Sequence, residues 1–186
     1  MRKYLPILGI PSIALLFLPY TFGVSPWATV SSERWNGGGL PLALLGGPFF
    51  LSIPILIAQT RVLLKRPSSK GERASYRLLA CAALAAGLAY LGNGFRTQGF
   101  GKATIQSSLI RCIPYAAAVG MMILSARKLD PEDATTVALQ AAWLPNAVYC
   151  AFGFWGNGWE IGAQVAAFTI VLYTMEIALS MRRNTL

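Results

Sequence analysis

The feature that most constrains this chain is a series of long apolar runs separated by short polar segments. Each run holds about 20 residues, the length that lets an α-helix cross the ~30 Å apolar core of a bilayer at about 1.5 Å per residue. The sequence therefore predicts an all-α fold, a polytopic bundle of six transmembrane helices in three hairpins. All 186 residues then form a single integral membrane domain. The predicted helices cover residues 4–24, 40–64, 77–95, 103–126, 134–155 and 161–181.

Composition supports this interpretation. The chain is 55% hydrophobic and 12% charged, whereas soluble domains carry about 25% charged residues. Its net charge of +9 is concentrated between the apolar runs, a pattern that orients membrane helices. We therefore expect the lipid bilayer to be the main partner and expect no nucleic-acid binding.

The positions of arginine and lysine test the helix count. With the N-terminus inside, the inner segments hold 12 of the 16 basic residues, and the outer segments hold Arg34, Arg96, Lys102 and Arg111. Basic residues favour the cytoplasmic side. This sorting predicts that both termini and the basic loop 65–77 are cytoplasmic. The small size and short loops favour a bacterial inner membrane.

Motifs that would indicate a reaction are missing from the sequence. It has no histidine, which removes the commonest general base and the commonest zinc ligand. Its three cysteines, Cys81, Cys112 and Cys150, lie in apolar runs without a Cys-x-x-Cys partner. Nucleophile elbows, phosphate-binding loops and zinc-binding helices are not found either. We therefore predict no catalytic residue, no metal site and no cofactor.

Ionisable groups at membrane depth are the first candidates for a functional role. Glu176 lies in the sixth predicted helix, a few residues from its cytoplasmic end. Gln140 lies at a similar depth in the fifth helix, so we expect the two side chains to meet. We also expect an ion pair between Glu176 and either Arg61 or Arg77, because pairing lowers the cost of burying a charge.

Two further polar residues extend this candidate site. Asn146 lies near the middle of the fifth helix. Arg111 lies near the outer end of the fourth, where it can pair with Glu160 or extend its charged group outward. Asn146, Gln140, Glu176 and Arg111 can form a ligand or transport path. They can equally serve only as polar contacts that hold helices together.

Three tryptophans, Trp35, Trp155 and Trp159, lie at the predicted outer boundary. Tryptophan is enriched at both membrane–water interfaces, so an aromatic belt explains them. The alternative is an interface for a partner, built from rigid aromatic side chains.

Pairs of small residues four positions apart occur on three predicted helices. Such pairs let helix backbones approach closely, within one bundle or between subunits. They permit self-association or contact with other membrane subunits. The pairs are Ala83 with Gly87, Ala116 with Gly120, and Gly162 with Ala166.

The segment Asp130-Pro131-Glu132-Asp133 is typical of a helix start. Asp130 suits the N-cap, Pro131 suits the first helical position, and the two acidic residues suit the positive end of the helix dipole.

These observations leave three hypotheses for function. The first is a non-catalytic accessory or structural subunit of a larger membrane assembly. The second is a small-solute or ion transporter with a polar path through Asn146, Gln140 and Glu176. The third is a lipid-modifying membrane enzyme that uses Glu176 or Glu160.

Overall fold

The computed structural model describes residues 5–15, 17–18, 51–98, 102–152 and 161–183. These residues form six α-helices, and no β-strand occurs among them. The predicted all-helical class is therefore confirmed. The helices are α1 (Leu5–Ala14), α2 (Ser52–Leu63), α3 (Lys70–Gln98), α4 (Lys102–Lys128), α5 (Pro131–Phe152) and α6 (Ile161–Arg183).

The first two helices are shorter than the predicted ranges. Helix α1 ends at Ala14, and the backbone turns at Leu15. The backbone N–H groups of Phe17 and Leu18 both donate to the Ala14 carbonyl, at 3.0 Å and 3.1 Å. Helix α2 begins at Ser52. The remaining parts of both predicted runs, residues 19–24 and 40–50, lie outside the described residues.

The third helix begins seven residues earlier than expected. The segment 65–77 was predicted as a loop, but α3 begins at Lys70 and the connection from α2 covers only residues 64–69. The basic composition of this segment is typical of a loop, but the segment also contains a serine that caps the start of α3. Ser69 Oγ accepts a hydrogen bond of 3.2 Å from the backbone N–H of Glu72. Ser69 and Glu72 have the Ser-x-x-Glu spacing of a capping box.

Length and apolarity single out one helix as a candidate membrane span. Among the described residues, only the stretch Ile161–Arg182 of α6 is long and apolar enough for that role. Helix α2 is apolar but has only 12 residues. The arrangement of six membrane spans therefore stays a prediction.

Helix α5 lies at the centre of the described bundle. It packs against α2, α3, α4 and α6, and every side chain from residue 134 to 145 is buried. Two contacts show that α5 and α6 run antiparallel. Gln140 bonds to Glu176, and Trp143 packs against Tyr173 with ring centroids 5.1 Å apart. Residue numbers thus rise along one helix as they fall along the other.

The outer surface of the bundle is rich in large apolar side chains. On α6, Phe168, Val171 and Met175 share one face, and each is more than half exposed. The opposite face of the same helix buries Thr169, Tyr173 and Glu176. Further exposed apolar residues lie on α2, α3 and α4, including Ile53, Ile57, Leu78, Leu79, Leu88, Ile113, Val119, Ile123 and Leu124.

Candidate functional site

A buried carboxylate lies where three helices meet. Glu176 of α6 is only 9% exposed, and its Oε2 atom accepts two hydrogen bonds from glutamine side chains. Gln140 Nε2 of α5 donates one at 2.7 Å. Gln59 Nε2 of α2 donates the other at 3.0 Å. The expected meeting of Glu176 with Gln140 is therefore observed, with Gln59 as an additional member.

The expected ion pair at this carboxylate is wrong for both arginines. Arg61 pairs with Glu72 at the start of α3, and Arg77 is exposed. The physical reason is the early start of α3. It brings Glu72 within reach of Arg61, where the pair stays partly in contact with solvent and avoids the desolvation cost of burial.

The two glutamines also contribute buried carbonyl oxygens to the cluster. Within the described part of the chain, neither Gln59 Oε1 nor Gln140 Oε1 has a hydrogen-bond partner. A buried acceptor without a partner costs roughly 1–3 kcal/mol. The cluster thus combines one carboxylate with two further oxygen acceptors, the ligand type that small hard cations and protonated groups prefer.

A second polar layer lies about one helical turn away, three residues after Gln140 on α5 and three residues before Glu176 on α6. Tyr173 donates its hydroxyl proton to Ser12 Oγ of α1 at 2.8 Å. The Trp143 indole donates to Ser52 Oγ of α2 at 3.1 Å. All four residues are essentially inaccessible to solvent. The two layers together connect α1, α2, α5 and α6 through polar contacts inside an otherwise apolar core.

Sequence reasoning missed Gln59, Ser12 and Ser52. A weak signal existed for Gln59, since it is an uncharged polar residue within an apolar run. Serine in a helix usually bonds to its own backbone, so no pattern marks Ser12 or Ser52 as partners of distant aromatic residues.

Several predicted site residues cannot be placed against this cluster. Asn146 and Arg111 belong to α5 and α4, and their side chains lie outside the described part of the structure. Trp35, Trp155 and Trp159 lie outside the described residues, as does Glu160.

The start of α5 is joined to the loop before α3. Glu132 accepts hydrogen bonds from the Ser68 backbone N–H at 2.9 Å and from the Ser68 hydroxyl. It also pairs with Arg73 at 2.8 Å. Partial burial acts to raise the pKa of Glu132, but the bonds from Ser68 and Arg73 outweigh it and hold that pKa below its ordinary value.

The predicted cap of α5 is confirmed. Asp130 Oδ1 accepts hydrogen bonds from the backbone N–H groups of Glu132 at 3.1 Å and Asp133 at 3.0 Å. Pro131 occupies the first helical position. The cap satisfies backbone N–H groups in the first turn of α5 that have no partner within the helix.

An open cavity of about 520 Å³ lies beside this helix start. One wall is formed by the end of α2 and the loop after it, and the other by the first residues of α5. The lining residues are Arg61, Val62, Lys65, Arg66, Pro67, Asp130, Pro131, Glu132 and Asp133.

The small-residue pairs have different environments. Gly87 is buried, and a Cβ atom added there would lie 2.5 Å from the Tyr115 ring. Gly162 and Ala166 are also buried. On α4, in contrast, Ala116 is exposed, and a Cβ added to Gly120 would meet nothing within 4 Å. The α4 pair thus lies on the outside of the bundle, beside the exposed side chain of Ile113.

No group of three or more histidine, cysteine, aspartate or glutamate side chains that could hold a metal occurs in the described ranges.

Comparison with known proteins gives no identification, since no family model, curated protein or solved structure matches the chain.

Proposed function

We propose that the chain is an integral membrane protein that serves as a non-catalytic accessory or structural subunit of a larger membrane assembly. The observation that carries the membrane placement is the distribution of polarity across the bundle. Large apolar side chains such as Phe168 and Val171 face outward, while Gln59, Gln140 and Glu176 are buried. Water-soluble monomers rarely expose extended apolar surface, whereas lipid solvates it.

The distribution of charge supports an orientation. Arg61 lies in the last turn of α2, and Lys65 and Arg66 lie in the segment that follows it. Lys70 and Arg73 lie at the start of α3. Arg127 and Lys128 lie at the end of α4, and Arg182 and Arg183 lie at the end of α6. The basic residues therefore lie at the ends of α2, α4 and α6 and at the start of α3. In a bilayer this end is cytoplasmic. We therefore propose that both termini are cytoplasmic, and, from the small size and short loops of the chain, that the membrane is a bacterial inner membrane.

The outward face of α4 supports a role in assembly. Ile113, Ala116, Gly120 and Leu124 follow a spacing of three or four residues and lie on one side of the helix. Lipid contact alone does not require small residues, but close approach of a second helix does. We propose that this face contacts another membrane subunit or a second copy of the chain.

The test is to place a bulky side chain on that face. We expect Gly120→Ile to reduce association in mild detergent and in a bilayer, measured by energy transfer between labelled copies and by co-purification with membrane subunits. The matched control is Ala126→Ile, since Ala126 is exposed on the same helix away from this face. Equal association of both variants and the unmodified chain would contradict the proposed role.

A second candidate function is the passage of a proton or small cation. It is favoured by the carboxylate of Glu176 together with the unpartnered carbonyl oxygens of Gln59 and Gln140. Ionisable groups buried at membrane depth commonly mark proton and ion pathways. The path we propose extends from this cluster towards Asn146.

Ion flux into liposomes tests this second candidate. We expect Glu176→Gln to abolish uptake of protons, Na⁺ or K⁺, and Asn146→Leu to reduce it. Glu72→Gln serves as a control because Glu72 lies at the start of α3 and outside the cluster. Identical flux for all variants and for empty liposomes would remove this candidate.

A further inference from the structure

Three side chains from three helices bring oxygen atoms to one buried region of the bundle. Glu176 of α6 contributes a carboxylate, and Gln59 of α2 and Gln140 of α5 each contribute an amide carbonyl. Both glutamines are completely buried. Among the described residues, neither amide oxygen has a hydrogen-bond partner. Buried polar atoms are normally satisfied, so these two oxygens point to a role in binding.

The hydrogen bonds limit how far each amide oxygen lies from the carboxylate. Gln140 Nε2 lies 2.7 Å from Glu176 Oε2, and Gln59 Nε2 lies 3.0 Å from the same atom. The nitrogen and oxygen of an amide share one carbon atom, with bond lengths of about 1.33 and 1.23 Å. Each amide oxygen therefore lies within about 6 Å of Glu176 Oε2.

A half-turn of each amide group brings its oxygen to the position that its nitrogen occupies. The oxygen and the NH₂ group are nearly equal in size, so this rotation leaves the packing of both glutamines almost unchanged. The two oxygens then lie beside the carboxylate, where they repel it unless a cation lies between them. Rotation of the amides thus exchanges a carboxylate bound by N–H donors for a cation bound by three oxygen ligands.

The charge of the cluster favours a monovalent cation. Its three side chains carry one negative charge, because both amides are neutral. A divalent cation would add a positive charge that these side chains do not balance, and an unbalanced charge in an apolar core is costly. The other acidic residues that the structure describes lie at the starts of α3 and α5, and they are Glu72, Asp130, Glu132 and Asp133.

We propose that Glu176, Gln59 and Gln140 form a binding site for one Na⁺ ion. Carboxylate and amide oxygens are the ligands that small hard cations prefer. The cluster lies in a closely packed core, where Na⁺ fits better than the larger K⁺. This inference rests on the second candidate function proposed above, because it names the cation that the same cluster binds.

The experiment measures how Na⁺ changes the thermal stability of the full chain in detergent. NaCl, KCl and choline chloride are compared at equal ionic strength and at one pH. We expect NaCl at about tenfold above its dissociation constant to raise the unfolding midpoint by about 3–5 °C over choline chloride, since a ligand of the folded state stabilises it. KCl should give a smaller rise. Equilibrium binding of radioactive Na⁺ then counts the bound ions, with one expected per chain.

Three variants show whether the response belongs to the cluster. Glu176→Gln removes the charge with little change of shape, and it should abolish the response to Na⁺. Gln140→Leu removes one oxygen ligand, and it should weaken Na⁺ binding by about tenfold or more. The matched control is Glu72→Gln, which makes the same change at a carboxylate outside the cluster and should keep the full response.

A fourth variant tests the charge argument by a gain of function. Gln59→Glu gives the cluster a second carboxylate of nearly the same shape, so that its charge matches a divalent cation. We expect Ca²⁺ to stabilise this variant more than Na⁺ does, whereas Na⁺ stabilises the unmodified chain more. Circular dichroism confirms that each variant is folded. The same order of cations in both proteins would contradict the charge argument.

Two results would overturn the proposed site. The first is equal midpoints in all three salts with no bound radioactive Na⁺. The second is a Na⁺ response that survives in Glu176→Gln or is lost equally in Glu72→Gln. Binding in detergent requires no passage of ions, so Na⁺ binding without flux into liposomes supports the site and removes only the transport function. Subunit association is measured separately by the α4 variants.

Discussion

Two glycines of the bundle occupy contrasting positions, although the sequence presents them alike. Gly87 on α3 faces the ring of Tyr115, which is 5% exposed, whereas Gly120 on α4 faces open space. The cost of adding a methyl group therefore depends on what the Cβ atom meets, because interiors are close-packed and surfaces are not.

We expect Gly87→Ala to destabilise the protein and Gly120→Ala to leave it unchanged or stabilise it. Both substitutions gain up to about 1 kcal/mol of helix propensity. At position 87 the Tyr115 ring must move, which costs about 1–3 kcal/mol. Thermal unfolding in detergent checks the difference, and equal midpoints for the two variants would show that Tyr115 does not pack against α3.

The two glutamines that share Glu176 Oε2 should be energetically coupled. Gln59→Leu and Gln140→Leu each remove one donor to the carboxylate together with one unpartnered carbonyl, so each alone should cost about 1 kcal/mol. The double variant removes both amide donors to the buried carboxylate. It should cost more than the sum of the single variants by about 0.5–3 kcal/mol. Additive costs in a double-mutant cycle would mean that the two amides act independently.

Only part of this cluster follows from the sequence. Depth along antiparallel helices places Glu176 and Gln140 at one level, because helical rise per residue is constant. It cannot select a partner among residues at that level. Arg61 is charged and Gln59 is not, so charge alone favours Arg61 as the partner of Glu176. Gln59, however, lies on the inward face of α2 and is buried, while Arg61 remains partly exposed.

At the scale of helices and loops, local capping decides where helices begin. Asp130 caps α5 and Ser69 caps α3, each through a side-chain oxygen that accepts backbone N–H groups. The Asp130 cap was predicted because Asp-Pro lies at the boundary between two apolar runs. The second lies within a basic segment whose charge suggests a loop, so the helix start was predicted seven residues late.

The contact between these two helix starts should make stability depend on pH. Glu132 has a pKa below its ordinary value of 4.5 because Ser68 and Arg73 stabilise its charged form. A lowered folded pKa adds stability above the ordinary pKa, and this stability is lost as pH falls through the lowered pKa.

The expected result is a stability difference between the unmodified chain and Glu132→Gln that is full near pH 7 and shrinks as pH falls below about 4.5. Unfolding midpoints in detergent from pH 7 to pH 3 measure it. Ser68→Ala should reduce the difference, since it removes one stabilising bond. A difference that stays constant over this range would contradict the assignment.

At the scale of the whole molecule, buried polar side chains lie near the centre of the bundle and large apolar side chains lie on its outer surface. Helix α5 supplies a fully buried centre, polar contacts link it to α2 and α6, and apolar side chains face outward on the surrounding helices. The helical class follows from the sequence because apolar runs of this length have few other solutions. The number of membrane spans does not follow in the same way, because polar residues in α3 and α4 lower the hydropathy of these helices. Within the described ranges, only the stretch Ile161–Arg182 of α6 is long and apolar enough to span a membrane.

The most direct test of the membrane account is the reactivity of single cysteines in sealed inverted and right-side-out vesicles. Cys81, Cys112 and Cys150 are first replaced by alanine, and then Ser69→Cys and Val171→Cys are introduced separately. The account predicts that a membrane-impermeant thiol reagent labels Ser69→Cys only from the cytoplasmic side. It also predicts that Val171→Cys is protected from both sides and reacts only with a lipid-soluble reagent. Labelling of Ser69→Cys from the outer side, or rapid aqueous labelling of Val171→Cys, would contradict it.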